Sequence, residues 1–303
     1  MNRRHFMGQS AAALGLLTGL SGPARAANLQ KAEILVIGGG YGGATAAKYL
    51  RLFSNNTARV TIIEPNPEFI SCPMSNLVIG GSRKLSELTV SYDGLSKRHG
   101  IQIVKDSVIN IDAAKQTVQL ASGKSMRFDK VVLSPGIGMI MDSVQGLAQA
   151  NQAGVTLQAW KAGPETVALH NQIAAMREGG VFAITIPEAP YRCPPGPYER
   201  ACQVASYLKA NNPKGKVLIL DANQDVTSKA GLFKKVWAEQ YAGMVEYRPK
   251  HNAVAVDAKT KTIKFDVQDD VKADVLNILP AMRAGDVAVK SGIANSNGRW
   301  ANV

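Results

Sequence analysis

Residues Glu33 to Leu50 read EILVIGGGYGGATAAKYL, an apolar run joined by a glycine-rich turn to an alanine-rich segment. The pattern predicts a strand over Glu33 to Ile37 and a helix from Gly42 to Leu50, with Gly38, Gly40 and Gly43 shaping the turn between them. In such a turn the first glycine allows the tight bend, the second lets backbone N–H groups approach a pyrophosphate, and the third lets the helix pack closely on the strand. A second strand, Arg59 to Ile63, runs into Glu64, 21 residues after Gly43, where a carboxylate can accept hydrogen bonds from ribose hydroxyls. Alone, the glycines would read as a flexible surface turn. With both strands, the helix and the acid in this order, they read as a dinucleotide-binding βαβ unit.

The same order recurs downstream with different chemistry in its turn. A strand over Val181 to Ile186, a helix over about Tyr198 to Lys209 and a strand over Lys216 to Leu220 ending on Asp221 form a second unit. Its turn lies in APYRCPPGPYERAC, Ala189 to Cys202, with Pro190, Pro194, Pro195 and Pro197 where a nucleotide would require N–H donors. Cys193 stands in the middle. The unit therefore reads as a nicotinamide-type domain with a thiol at the nucleotide position.

The chain has 303 residues, 46% hydrophobic and 19% charged, which suits two α/β domains of ordinary size. Removing the leader arginines Arg3, Arg4 and Arg25 from the formal charge of +12 leaves +9. Lys and Arg are scattered without interleaved aromatics, so no nucleic-acid partner is expected; the surplus reads as solubility, with docking to an acidic partner as the second reading. Arg3-Arg4, an apolar segment from Ala11 to Leu20 and Ala24-Arg25-Ala26 form an export leader resembling a twin-arginine signal, which implies a periplasmic location. No segment is long and apolar enough to serve as a transmembrane span.

Three cysteines follow, Cys72, Cys193 and Cys202, with no CxxC and no metal-ligand spacing among His5, His99, His170 and His251. Cys202 falls among Ala201, Val204 and Ala205 on the predicted helix and reads as a small core residue, with a Cys193–Cys202 disulfide as the alternative. Cys72 is followed by Pro73, which keeps its loop extended, eight residues past Glu64. Arg192 and Arg200 have two readings, attracting an anion to Cys193 or standing as solvated surface charges.

Taken together, the glycine turn, Ser71-Cys72-Pro73-Met74-Ser75-Asn76, Leu133-Ser134-Pro135-Gly136 and Tyr191-Arg192-Cys193-Pro194-Pro195-Gly196-Pro197-Tyr198-Glu199-Arg200 resemble the flavoprotein subunit of flavocytochrome c sulfide dehydrogenase. This is a glutathione-reductase-like family related to the sulfide:quinone oxidoreductases. The resemblance implies FAD, with Gly38, Gly40 and Gly43 at its pyrophosphate and Glu64 at its ribose. Ser134, Pro135 and Gly136 would lie where the chain leaves the flavin domain. It also implies a thioether from Cys72 to the flavin, and Cys193 as the catalytic half of a redox disulfide that hydrosulfide attacks. Electrons would then pass to a c-type cytochrome. The bland reading of Cys72 is an inert loop thiol, and that of Cys193 a thiol pinned by prolines.

The expected organisation is α/β, with two Rossmann-like domains: leader 1–26, FAD-binding domain 27–145, second Rossmann-like domain 146–285, and a return towards the first domain over 286–303. Short strands are expected between Gln102 and Lys130. The family's C-terminal domain, with a glycine-aspartate segment and the second redox cysteine, is expected beyond Val303, so this chain reads as truncated. Two other functional readings stand beside the first, a sulfide:quinone oxidoreductase and a flavin-binding protein without turnover.

Overall fold

The computed structural model describes residues 31–302. The arginine pair, the cleavage motif and Val303 lie outside the described residues.

Both βαβ units form. In the first, β1 (Glu33–Ile37), α1 (Tyr41–Phe53) and β2 (Arg59–Ile63) lead through α2 (Ser75–Ile79) to β3 (Gln102–Val104) and β4 (Lys130–Leu133). The strands make a parallel sheet in the order β3-β2-β1-β4. A parallel sheet is covered on both faces, which is why its central strands read as unbroken apolar runs. Ile34, Val36, Val60 and Ile62 pack with Ala47 of α1 on one face. Leu35, Ile37 and Ile63 meet Val118, Leu120 and Phe128 on the other. Val118 and Leu120 come from the expected short strands, an antiparallel sheet of Val108–Asp112, Thr117–Leu120 and Ser125–Arg127, and Phe128 directly follows the last of them.

From β4 the chain crosses through β5 (Ile137–Ile140) and reaches α3 (Pro164–Ala174). The second unit is β6 (Val181–Ile186), α4 (Gly196–Asn211) and β7 (Lys216–Asp221), followed by α5 (Ala230–Gln240), β8 (Val245–Arg248) and β9 (Val275–Ile278). Its parallel sheet has the order β8-β7-β6-β9, the same topology as the first. One face buries Leu169, Ile173, Tyr198, Val204, Phe233 and Trp237. The other packs against Val256, Ile263 and Phe265 of the hairpin Ala253–Asp257 and Thr262–Phe265.

Helix α4 begins at Gly196, two residues before the expected start, with Pro197 in its first turn. A first-turn residue has no intrahelical partner for its N–H, so proline loses nothing there and its fixed φ favours the helix.

The chain then returns. Strand β10 (Ala281–Ala284) runs antiparallel to β5, and Gly285 N–H bonds Gly136 C=O at 2.9 Å. Val287 beyond it packs with Leu35 and Ile37 of the first sheet. The two crossing strands thus join the domains side by side, and the C-terminal ends of β1 and β6 both open towards the loops that carry the cysteines.

Candidate functional site

The glycine turn is built by close approach. Gly38 has φ +98°, and a side chain there would put Cβ 2.1 Å from the Ser134 carbonyl oxygen. A Cβ on Gly43 would fall 1.8 Å from the Gly38 carbonyl oxygen. Gly40 differs: nothing lies within 4 Å of its Cβ position, so its outer side is open to a ligand. No side chain caps α1 at Gly40 and its first turn carries no acidic residue, so the N-terminal N–H groups remain available to an anion.

Glu64 is buried at the end of β2. Its Oε2 accepts the Gly39 N–H at 2.8 Å, and its Oε1 accepts from Asn66 N and Nδ2 at 2.9 and 2.6 Å. These bonds fix the carboxylate against the turn and fill Oε1, leaving a lone pair on Oε2 for a ribose hydroxyl. Ser134 N–H closes the turn's far side by donating to Ile37 C=O at 2.8 Å, and Pro135 and Gly136 follow at the exit to β5. Tyr92 backs the turn, its hydroxyl 2.7 Å from the Cβ position of Gly39. Burial first, then the Glu64 charge, pushes its phenol well above the ordinary tyrosine range. A dinucleotide pyrophosphate and ribose fit this donor and acceptor set.

The Cys72 loop is tied to that turn. Tyr41, the first residue of α1, meets Ser71 Oγ through its hydroxyl at 2.6 Å and Phe69 edge-to-face at 4.8 Å. Cys72 is half-buried, and its Sγ accepts the Ala162 N–H at 3.4 Å. Its carbonyl receives Ser75 N–H and Oγ–H at 3.0 and 2.7 Å, which starts α2 and delivers Asn76 into the space between the domains.

Cys193 occupies the second turn. It is exposed, sits in the left-handed region at φ +62°, and its carbonyl accepts the Gly196 N–H at 2.9 Å. Its Sγ is 3.2 Å from the Cβ position of Gly196, and Trp160 lies 2.7 Å from that same position. The thiol is backed by protein on one side and open on the other. That partial burial pushes its pKa up and Glu199 adds to the rise, while the Gly196 N–H, then Arg192 and Arg200, offset part of it. No cysteine among the described residues is bonded to another. Cys202 faces away, accepting the Trp237 indole N–H at 3.3 Å, as the core reading expects. The expected help from the two arginines is therefore only partial.

The arginines themselves separate. Arg192 is half-buried and donates to the Trp160 carbonyl. Arg200 is 1% exposed, which rules out the solvated-charge reading for it. Its guanidinium donates to Asn76 Oδ1 at 3.0 Å, Gln158 C=O at 2.8 Å, Asn277 Oδ1 at 2.9 Å and Ala159 C=O at 2.7 Å. Asn76 Nδ2 in turn donates to Gly196 C=O at 3.1 Å. The strip Gln158–Ala162 thus touches Cys72 at one end and the Cys193 turn at the other. Sequence reasoning missed Asn277 and Trp160 altogether; an asparagine inside the apolar run of β9 was the available signal.

Asp221 ends β7 where a nicotinamide dinucleotide would place a ribose. Its Oδ2 is taken by the Tyr198 and Tyr247 hydroxyls at 2.7 and 3.1 Å, and its Oδ1 by Asn223 N and Nδ2 at 3.0 and 2.7 Å. Asp221 and Tyr198 are 0% exposed, so no ribose reaches that carboxylate. Proline in the turn and tyrosine on the acid remove both halves of a nucleotide site.

This architecture is that of the pyridine nucleotide-disulphide oxidoreductases, and the family model of that description matches residues 32–163. The model described as the central part of the sulfide dehydrogenase [flavocytochrome c] flavoprotein chain matches residues 166–280. The chain belongs to the flavoprotein family of the flavocytochrome c sulfide dehydrogenase flavoprotein chain and the sulfide:quinone oxidoreductases. It is 49% identical over 46 residues to the sulfide dehydrogenase flavoprotein chain of Chlorobaculum thiosulfatiphilum, which covers 15% of this chain and 94% of that sequence. It is 28% identical over 284 residues to the mitochondrial sulfide:quinone oxidoreductase of Dictyostelium discoideum, covering 89% of this chain and 61% of the relative. The solved sulfide:quinone oxidoreductase of Aquifex aeolicus superposes with a TM-score of 0.75 at 18% identity, covering 89% of this chain and 64% of that one. The chain spans about three fifths of the length of the curated sulfide:quinone oxidoreductases it matches.

Proposed function

We propose that this chain is the flavin-bearing part of a sulfide-oxidising enzyme that delivers electrons to a c-type cytochrome after twin-arginine export to the periplasm. One observation carries the reading. The second βαβ unit presents an exposed thiol, Cys193, where a nicotinamide dinucleotide would bind, while Tyr198 and Tyr247 close the acid that such a nucleotide needs. A flavoprotein that cannot seat NADH in this unit takes its electrons from a substrate meeting a sulfur.

FAD is the dinucleotide the first unit would hold, with the α1 N-terminus and the Gly38–Gly43 turn at the pyrophosphate and Glu64 at the ribose. Cys72, joined to that turn through Ser71 and Tyr41, would form the thioether. When bound, the flavin takes two electrons together and releases them singly, as a haem acceptor requires. With Cys193 as one half of a disulfide, hydrosulfide attacks the S–S bond, leaving a persulfide on one sulfur and a thiolate on the other. Trp160 and Gly196 shield one side of that sulfur from water, and Arg192 and Arg200 favour its anion.

The sulfide:quinone reading is favoured by the relatives that align along most of the chain. Denaturation in acid followed by intact mass spectrometry separates the two. Flavin that stays on the chain, and is lost in Cys72→Ala, supports the cytochrome-linked reading. Flavin that leaves the wild-type chain, with sulfide-dependent quinone reduction, overturns it in favour of the quinone-linked one. Sulfide-dependent reduction of cytochrome c, abolished in Cys193→Ser, tests the activity itself.

A further inference from the structure

Arg200 is more than a hydrogen-bonding strut. A guanidinium inside a protein ordinarily lies against a carboxylate, because burying its charge alone costs several kcal/mol. Every oxygen that Arg200 contacts is neutral, two from asparagine amides and two from backbone carbonyls. Glu165, whose carboxylate acts on it through space, spends its oxygens on Asn151, Gln158 and the Gln158 and Ala159 N–H groups. The cation is therefore fixed from both domains with no carboxylate in direct contact. Burial pulls its pKa down to about 9, which still leaves it charged at neutral pH.

What lies next to that charge is the Cys193 turn. The guanidinium carbon stands 4.9 Å over the Trp160 ring. The edge of the same ring reaches the Cβ position of Gly196 at 2.7 Å, with Cys193 Sγ 3.2 Å from that position. Cation and sulfur thus both border the Trp160 indole and the Gly196 turn, and on that side the sulfur is lined by protein, where a charge is less screened than in water. Asn76 ties the two together, accepting from Arg200 and donating to Gly196.

We propose that Arg200 is the fixed counter-charge of the Cys193 sulfur, a positioning residue that holds the anionic thiolate or persulfide in place from the buried side of its turn. This rests on the reading above only in taking Cys193 as the reactive sulfur. The other groups facing that sulfur are Glu199, which opposes the anion; Arg192, which favours it from a wetter position; and Tyr191, held protonated by burial. Arg299 borders the turn through Pro190 C=O at 2.9 Å. Only Arg200 among these charges is sealed from solvent, so only its field is constant through substrate entry and product release.

The test is alkylation of the reduced, flavin-loaded protein by iodoacetamide across pH 6 to 10, each cysteine followed separately by peptide mass spectrometry. Two variants remove the field differently. Arg200→Met deletes the charge. Asn76→Asp places a carboxylate on the guanidinium, neutralising it where it stands, at the loss of the Nδ2 donor to Gly196 C=O. Both are expected to slow Cys193 alkylation at pH 7 about tenfold, which is a midpoint about one pH unit higher, with Cys202 unchanged. An unchanged Cys193 midpoint in folded Asn76→Asp overturns the proposal, whether or not Arg200→Met folds. The assay uses neither sulfide nor an electron acceptor. A shifted midpoint in a protein that does not oxidise sulfide would sink the proposed function and leave Arg200 in this role.

Discussion

Replacing Gly43 by alanine tests the turn on which the first domain depends. The new Cβ would sit 1.8 Å from the Gly38 carbonyl oxygen, 3.0 Å from its carbon and 3.2 Å from Val36 Cγ1. The nearest two atoms are backbone, so no rotamer relieves the overlap; either α1 lifts from β1 or the turn flattens. Overpacking of this kind costs about 3 kcal/mol. Alanine's better helix propensity returns about 1 kcal/mol, which leaves a net loss of about 2 kcal/mol. For domains of this size that is a Tm lowered by about 4–8 °C. Gly40→Ala is the matched control. Its backbone is extended at φ −69° and ψ −169°, and no atom lies within 4 Å of its Cβ. It is expected to lose less than about 1 kcal/mol, as an N-cap change, and yet to lower flavin content, because its methyl group points where the pyrophosphate would pass. Thermal melts followed by circular dichroism, alongside flavin absorbance of each purified variant, read both effects. A Gly43→Ala protein that melts with wild type would refute the close-packing argument. A Gly40→Ala protein with full flavin would refute the placement of the ligand.

Tyr198→Phe removes one of two phenols from Asp221 and leaves a buried carboxylate short of a donor, so urea titration should show a loss of about 1–3 kcal/mol; no loss would mean Tyr247 alone satisfies it. Cys193→Gly relieves a left-handed non-glycine residue at φ +62° and should raise stability by about 1 kcal/mol while abolishing sulfide reactivity, and a lower Tm would show that the thiol packs more tightly than the geometry implies. Burial raises Tyr92, Tyr198 and Tyr247 well above the ordinary tyrosine value of 10.0. Their folded values exceed their unfolded ones, so the stability they contribute is complete below pH 10 and is lost as pH rises towards the folded values. Tyrosinate absorbance from these groups should therefore appear together with loss of native circular dichroism, and an independent titration near pH 10 in a folded protein would contradict their burial.

Both βαβ units were legible because their signals are local. Unbroken apolar strands, punctuating glycines and acids at strand ends constrain residues close in sequence, and β1, β2, β6 and β7 lie where those patterns predict. The boundaries moved where the local rule is permissive, as at α4, which starts at Gly196 because proline is tolerated in a first turn. The site was legible only in pieces. Cys72 and Cys193 stand out by their prolines, but nothing in the sequence says that one strip, Gln158–Ala162, touches the loops of both. Asp221 reads only as the end of a strand, whereas the fold brings Tyr247 to it from a neighbouring strand.

Arg200 marks the division most sharply. The sequence by itself determined the fold class, the glycine turn of the first unit and the proline-flanked cysteine in the turn of the second, because each is written in residue type and short-range spacing. Whether an arginine is a solvated charge or a buried one depends on what surrounds it. Its partners, Asn76, Gln158, Ala159 and Asn277, are 124, 42, 41 and 77 residues away. Burial and dielectric are properties of the packed volume and not of the chain, so only the tertiary structure decided that this cation stands buried beside the Cys193 turn.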